Sequence, residues 1–269
     1  MITTRPVIRY PGGKFTIAPW IIQHFPAHSI YVEPYGGGAS VLMAKPRSKA
    51  EIYNDINSDV VNIFRILRDP EQAKELQRLC DLTPYAFEEY REAYEPTDDP
   101  IEKARRMIFR SFAGIGSDSA FRYNGYRSRF KDSKSKLTDA HSWATWPRSV
   151  PCFVDRLKAV CIENRPALDI FKMYDHLETL FYVDPPYLGS IRERNLYPNE
   201  LHSDDDHSSL AGILSNLKGS VIISGYRSDL YDTLFKGWKC YERSAKAQNG
   251  LARVECIWMN SAAGTPRLF

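Results

Sequence analysis

The chain lacks any apolar run approaching the length needed to cross a bilayer, and its amino terminus lacks a basic start followed by an apolar stretch and a cleavage site. Internal repeats and low-complexity tracts are absent too. These absences argue against a helical membrane protein, a solenoid and a disordered chain, and the expected location is the cytoplasm. Cysteine is scarce. Cys80, Cys152, Cys161, Cys240 and Cys256 are far apart, odd in number, and form no pair at zinc-ligand spacing. That pattern argues against a disulfide scaffold or zinc module and predicts reduced, mostly buried thiols. Net charge is also small, +3 over 269 residues, so the sum alone identifies no partner.

What is present is enough apolar material for one sizeable core, 43% of the residues, with room for a smaller insert. The charge is unevenly placed. Residues 101–136 hold ten basic side chains against three acidic ones, a local +7. Such a run is ordinarily a solvated face. Here Phe121, Tyr123, Tyr126 and Phe130 alternate with arginines, a combination that suits phosphate neutralisation and stacking on bases.

Residues 29–33 read as a short buried strand, 34–38 as a turn and 39–44 as the opening of a helix. A second strand at 51–53 precedes helical spacing over 60–67. From about 70 to 110 the pattern is helical, clearest over 86–94 and 101–112. Asn124-Gly125, between aromatic residues, predicts a β-hairpin over 121–130. After residue 151 the α/β pattern resumes. Strands are expected at 159–163, 180–184, 220–224 and 253–259, with helices over 155–158, 210–217 and 231–235.

Three short motifs carry chemistry. Val32-Glu33-Pro34-Tyr35-Gly36-Gly37-Gly38 puts glycines where a strand's carboxyl end meets a helix, the ligand edge of open α/β sheets. Alone it suits a structural turn or a dinucleotide site equally well. Asp55 lies 19 residues beyond Gly36, where a carboxylate can accept both hydroxyl hydrogens of an adenosine ribose. Its alternative role is a helix cap ahead of Val60. Asp184-Pro185-Pro186-Tyr187 follows an apolar strand, so it should project stiffly from the same edge. The Asp184 carboxylate and Pro185 carbonyl are acceptors that can bind the two hydrogens of an aromatic amine and favour a tetrahedral nitrogen. Tyr187 offers a flat face to an extruded base. The plain alternative is a turn after a buried strand. In Arg9-Tyr10-Pro11-Gly12-Gly13-Lys14, the glycines permit a tight turn and Lys14 can face a carboxylate.

Taken together and in order, Tyr10-Pro11-Gly12-Gly13-Lys14, the Glu33 to Gly38 loop, Asn54-Asp55-Ile56-Asn57 and Asp184-Pro185-Pro186-Tyr187 resemble the Dam-type (D12 class) DNA adenine-N6 methyltransferases. The resemblance spans nearly the whole chain. It implies an α/β, Rossmann-like S-adenosylmethionine-dependent methyltransferase sheet with one antiparallel strand near its edge. An inserted helical target-recognition subdomain bearing a β-hairpin would occupy 69–150, with the catalytic domain at 1–68 and 151–269. Val254-Glu255-Cys256-Ile257-Trp258 resembles the family's last core strand.

The resemblance further implies that Tyr10, Lys14, Glu33, Pro34, Gly36, Gly38, Asp55 and Asp184 serve the S-adenosylmethionine site. Asp184, Pro185, Pro186 and Tyr187 would be catalytic. Arg9, Arg110, Arg122, Tyr123, Asn124, Arg127 and Arg129 are the candidate contacts to double-stranded DNA. No metal and no obligate protein partner are implied, and a monomer is expected. Two features depart from the family pattern. Pro166 stands where many relatives carry an acidic residue near the cofactor adenine, and residues 112–130 do not match the pattern of GATC-reading members. The catalytic loop also suits cytosine N4 in DNA or adenine N6 in RNA. A reading from another class is an inactive DNA-binding remnant, such as a prophage would carry. The run His202-Ser203-Asp204-Asp205-Asp206-His207 contains metal-ligand types but reads better as a solvated loop and helix cap. Trp143 and Trp146 read as packing rather than base stacking.

Overall fold

The computed structural model describes residues 5–128, 139–187, 203–246 and 252–263, the side chains of residues 245, 246, 252 and 253 excepted. Its strands are β1 (Ile30–Glu33), β2 (Ala50–Asn54), β3 (Val160–Glu163), β4 (Thr179–Val183), β5 (Ser220–Tyr226), β6 (Lys239–Lys246) and β7 (Ala252–Met259). Its helices up to the basic window are α1 (Ala18–Ile22), α2 (Ser40–Ala44), α3 (Ser58–Arg68), α4 (Pro70–Leu82), α5 (Phe87–Glu92) and α6 (Pro100–Ala113). Beyond it come α7 (Asp139–Thr145), α8 (Val150–Leu157), α9 (Ala167–Tyr174), α10 (Asp204–Ser215) and α11 (Asp229–Leu234). The chain forms two compact units. One comprises Met1–Pro19, Gly37–Pro46 and Asp55–Asn164, the other Trp20–Gly36, Arg47–Asn54 and Arg165–Phe269.

The strands form one sheet of order β3-β2-β1-β4-β5-β7-β6. Its β2-β1-β4-β5 run is parallel, and β7 is antiparallel to both neighbours. The mostly parallel sheet with an antiparallel strand near its edge is the one the sequence resemblance implied. All five residues of β4 are buried, as a central strand covered on both faces requires, and its sequence is accordingly a nearly continuous apolar run. In the second unit Val32, Phe181, Val183, Ile223 and Trp258 pack with Phe171 of α9, Leu210 and Leu214 of α10 and Tyr231 of α11.

In the first unit α3 packs against α4, α6 and α8. The helix starts are written in the sequence. Asn57 caps α3, Asp69 caps α4 ahead of Pro70, and Asp99 caps α6 ahead of Pro100, each side chain accepting from two backbone N–H groups. Trp143 and Trp146 are buried here. Their indole N–H groups donate to Thr83 O at 2.8 Å and Val7 O at 2.9 Å, so both serve packing.

The structure differs from expectation at three places. Residues 121–128 form no strand of their own. Instead Gly114 pairs with Tyr126, while Ile115 N–H donates to Gly125 O and Arg127 N–H to Ala113 O. The segment leaving α6 is extended and offers its backbone groups first, so Asn124-Gly125 turns the chain toward it. Residues 129–130, the far end of the expected hairpin, lie outside the described residues. Second, only Cys80 and Cys256 are buried; Cys152 is half-buried, and Cys161 and Cys240 are exposed. Cys161 and Cys240 sit on β3 and β6, the two outermost strands, which among the described residues pair with a neighbouring strand on one side only. Third, Asp204, Asp205 and Asp206 lie within the first turn of α10 rather than before it. Ser203 is the cap, forming a reciprocal box with Asp206. His207 is buried, with Nδ1 bonded to the Tyr231 hydroxyl at 3.0 Å, and His202 lies outside the described residues.

Trp146 is fully buried and both donates to Val7 O and stacks beside Trp143. Trp146→Ala should therefore cost about 3–5 kcal/mol, read as a fall in the urea midpoint at unchanged slope. A loss below about 1 kcal/mol would contradict the packing assigned to it.

Candidate active site

Strand register within the second unit positions the acidic loop. Val183 pairs with Ile223 and Val32 with Phe181, so the chain leaves β1 and β4 at the same sheet edge, toward Pro34 to Gly36 and Asp184 to Tyr187 respectively. One step past the Val183 pair, Ser224 faces Asp184, and its hydroxyl donates to Asp184 Oδ1 at 2.8 Å. The Ser224 hydroxyl also meets the buried Tyr182 hydroxyl at 3.0 Å. Pro185 and Pro186 are buried and Asp184 is half-buried, so the loop is stiff in sequence and clamped in place.

Tyr187 is buried, and its hydroxyl donates to Glu255 Oε2 at 3.1 Å. Its ring meets Tyr226 edge-on at 4.5 Å between centroids. Tyr226 and Glu255 are cross-strand partners on β5 and β7, so both contacts come from one rung of the ladder. Burial holds the Tyr187 phenol well above its usual range, reinforced by the carboxylates of Asp184 and Glu255. It stays a neutral hydrogen-bond donor.

The glycine loop is tight because the protein itself fills the space. A Cβ at Gly36 would stand 2.2 Å from the Tyr53 ring, and the Gly36 N–H donates to Asn54 O at 2.7 Å. At Gly37, φ is +47° and a Cβ would meet the Tyr10 ring at 2.7 Å. Only glycine fits either position. Gly38 lies against Tyr10 as well, and Pro34 is buried. Ala39 follows at φ 52°, a left-handed conformation that a side-chain-bearing residue adopts at some cost. Glu33 is buried and accepts from the Tyr31 hydroxyl at 2.7 Å. Asn54, fully buried, donates to both Pro34 O and Arg165 O and accepts from Arg165 N–H, tying the loop after β1 to the residue before Pro166.

Asp55 belongs to the first unit. Its Oδ2 accepts from Gly37 N–H at 2.7 Å and its Oδ1 from Asn57 N–H at 2.8 Å. The α3 cap is Asn57, so Asp55 is not spent on capping. Burial raises its pKa to about 6, against the pull of those two N–H groups. Tyr10 in the same unit packs edge-on to Phe121 at 5.7 Å. Lys14 is buried, and its Nζ donates to Gly12 O at 2.7 Å.

Among the residues read as DNA contacts, Arg9 and Arg127 converge on Asp139, at 2.9 and 3.7 Å. Arg9 also lies over the Phe112 ring and Arg110 over the Tyr94 ring. Asn124 donates to Asp118 Oδ1 at 2.6 Å. Arg122 and Tyr123 are exposed, and Arg129 lies outside the described residues. Sequence reasoning missed Asn54 as a tie, and Ser224, Tyr226 and Glu255 as partners of the acidic loop. Their strands were legible, but their partnerships depend on register.

The family described as D12 class N6 adenine-specific DNA methyltransferase matches residues 10–249. The chain belongs to this family. It is similar to a DNA adenine methylase of Salmonella typhi, 30% identical over 241 residues covering 86% of this chain and 84% of the relative. It is also similar to the type II methyltransferase M1.LlaDCHI of Lactococcus lactis subsp. cremoris, 25% identical over 274 residues and covering 93% and 90% of the two chains. A DNA adenine methylase of Haemophilus influenzae is 23% identical over 254 residues, covering 87% and 84%. As a D12-class enzyme the protein is a site-specific, adenine-N6 DNA methyltransferase, which decides among the acceptors that the catalytic loop alone left open. Membership implies S-adenosylmethionine as methyl donor. Among the described residues no helix is long and apolar enough to cross a membrane.

The raised Asp55 pKa fixes a sign for stability. Its ordinary value is about 4, so between about pH 4 and 6 the folded state retains a proton that the unfolded chain has released. The stability cost of ionising Asp55 is therefore absent below about pH 4 and fully present above about pH 6. The difference amounts to roughly 3 kcal/mol. Denaturant titrations should show the wild type losing about that much relative to Asp55→Asn between pH 4 and 7. A pH-independent difference between the two would contradict the burial argument.

Proposed function

We propose that methyl transfer takes place at the loop 184–187 on an adenine turned out of the duplex, and that the placement of Asp184 at the β4 carboxyl end carries the reading. N6 of adenine is a poor nucleophile because its lone pair is delocalised into the ring. In this reading Asp184 Oδ2 and Pro185 O accept the two amine hydrogens, which draws the nitrogen toward tetrahedral geometry and localises the lone pair. Ser224, donating to Oδ1, sets the carboxylate plane. The base must leave the stack because its reactive atom is otherwise out of reach. Tyr187 then faces the extruded ring, its own plane set by Tyr226 and Glu255.

S-adenosylmethionine, when bound, supplies an electrophilic methyl group. The residues suit such a molecule. Asp55 is a buried carboxylate whose two oxygens each take a backbone N–H, leaving further lone pairs for a ribose diol. Gly36 and Gly37 carry no side chain where Tyr53 and Tyr10 respectively leave no room for one; in this reading Tyr10 would add an aromatic wall and Lys14 a cation suited to a carboxylate. Glu33, Pro34 and Gly38 shape the same loop. Most of the barrier reduction is assigned to orientation, with Asp184 and Pro185 holding the amine nitrogen where a bound methyl donor would meet it.

The finer assignments belong to the same proposal. Residues 69–150 act as an inserted target-recognition domain, with Arg122 and Tyr123 as its exposed DNA contacts beside Arg9, Arg110, Asn124, Arg127 and Arg129. The protein works in the cytoplasm as a monomer. Its relation to the type II methyltransferase fits a role in restriction-modification.

Asp184→Ala should lower N6-methyladenine formation in duplex DNA by about 10²–10³-fold or more, while DNA affinity changes less than about threefold. Nucleoside mass spectrometry and a filter-binding titration supply the two readouts. Near-normal turnover would refute the role given to Asp184, and a parallel collapse of DNA binding would make its role structural.

A further inference from the structure

Cys240, Glu242 and Cys256 come together on the β6–β7 pair. Cys240 and Glu242 lie two apart on β6 and so share a face, and Cys256 on β7 is the cross-strand partner of Glu242. The two sulfurs and a carboxylate oxygen all lie within 4.8 Å of one another. Cys240 and Glu242 are exposed, while Cys256 is buried beside Trp258 in the core. A sequence separation of 16 residues between the cysteines gives no zinc-motif signature; the hairpin register alone makes the pair.

The arrangement suits a bridging ion better than a direct bond between the sulfurs. Cys240 pairs with Trp258, so the two cysteines are diagonal rather than opposite. Diagonal positions stand about 7–8 Å apart at Cα, beyond the roughly 5.5–6 Å usual for a disulfide. Two metal–sulfur bonds of about 2.3 Å span up to about 4.6 Å, which matches the donor spacing. We propose that Cys240, Glu242 and Cys256 form a three-ligand site for a thiophilic divalent cation of the zinc class, with its fourth position open to water.

The charges fit this assignment. Two thiolates and a carboxylate around a divalent ion leave one negative charge, and Arg227 is already paired with Glu242 on one side and Asp232 on the other. Both members of the Arg227–Glu242 pair are roughly half exposed, so that pair is weak and yields one carboxylate oxygen readily. Occupied, the site clips outermost β6 onto β7.

The test is a cadmium titration of the full-length, reduced protein, followed by thiolate-to-metal charge-transfer absorbance and by the melting temperature. We expect one equivalent to bind the wild type with an absorbance and a melting rise, both lost in Cys240→Ser. In Glu242→Gln the affinity should drop about tenfold or more. Circular dichroism of the metal-free variants checks that both fold. A wild-type curve that coincides with Cys240→Ser, or an affinity indifferent to Glu242→Gln, overturns the proposal.

Discussion

The pairing of β4 between β1 and β5 is the constraint on which the acidic loop depends. With Val183 opposite Ile223, the next residue on one strand is Asp184 and on the other Ser224, and the hydroxyl meets the carboxylate. A slip of one residue would turn every side chain of β4 to the other face. All five are buried, so such a slip would put Phe181 and Val183 out of the packing they now make with α9 and α10. Core packing thereby specifies the position of the Asp184 carboxylate. The hydrophobic effect sets the register, and the register places the polar group.

The first unit holds a different kind of constraint. Asp55 is buried at a cost to its ionised form, and two backbone N–H groups only partly offset the loss of water. A left-handed Ala39 and a Gly37 pressed against Tyr10 sit in the neighbouring loop. Strain and desolvation gather in this one loop region, as they commonly do at functional sites.

Much of the fold was legible because its signals are local. β1, β4 and β5 read as apolar runs bounded by turns, and α3 and α6 as segments of helical spacing. β6 was not legible: its residues 239–244 are largely exposed, and an outermost strand carries little of the burial signal that marks a core one. Nor was α9, whose start has no side-chain cap. The expected hairpin failed because a turn dipeptide says where the chain reverses, not which backbone it then meets. Asp184 and Asp55 were singled out as candidates from motif and spacing. Ser224, Tyr226, Glu255 and the ties made by Asn54 were not, since each depends on contacts between segments distant in sequence. The cysteines show the same limit, since Cys240 and Cys256 become neighbours only through the β6–β7 register.

The central claim is that a strand register, relayed through one hydroxyl, sets a carboxylate for chemistry. Single-turnover methyl transfer by Ser224→Ala, at saturating DNA and methyl donor, tests it most directly. The account predicts a chemical step slowed by about 10–100-fold with affinities for both substrates within about twofold of the wild type. An unchanged single-turnover rate in a folded variant would contradict it.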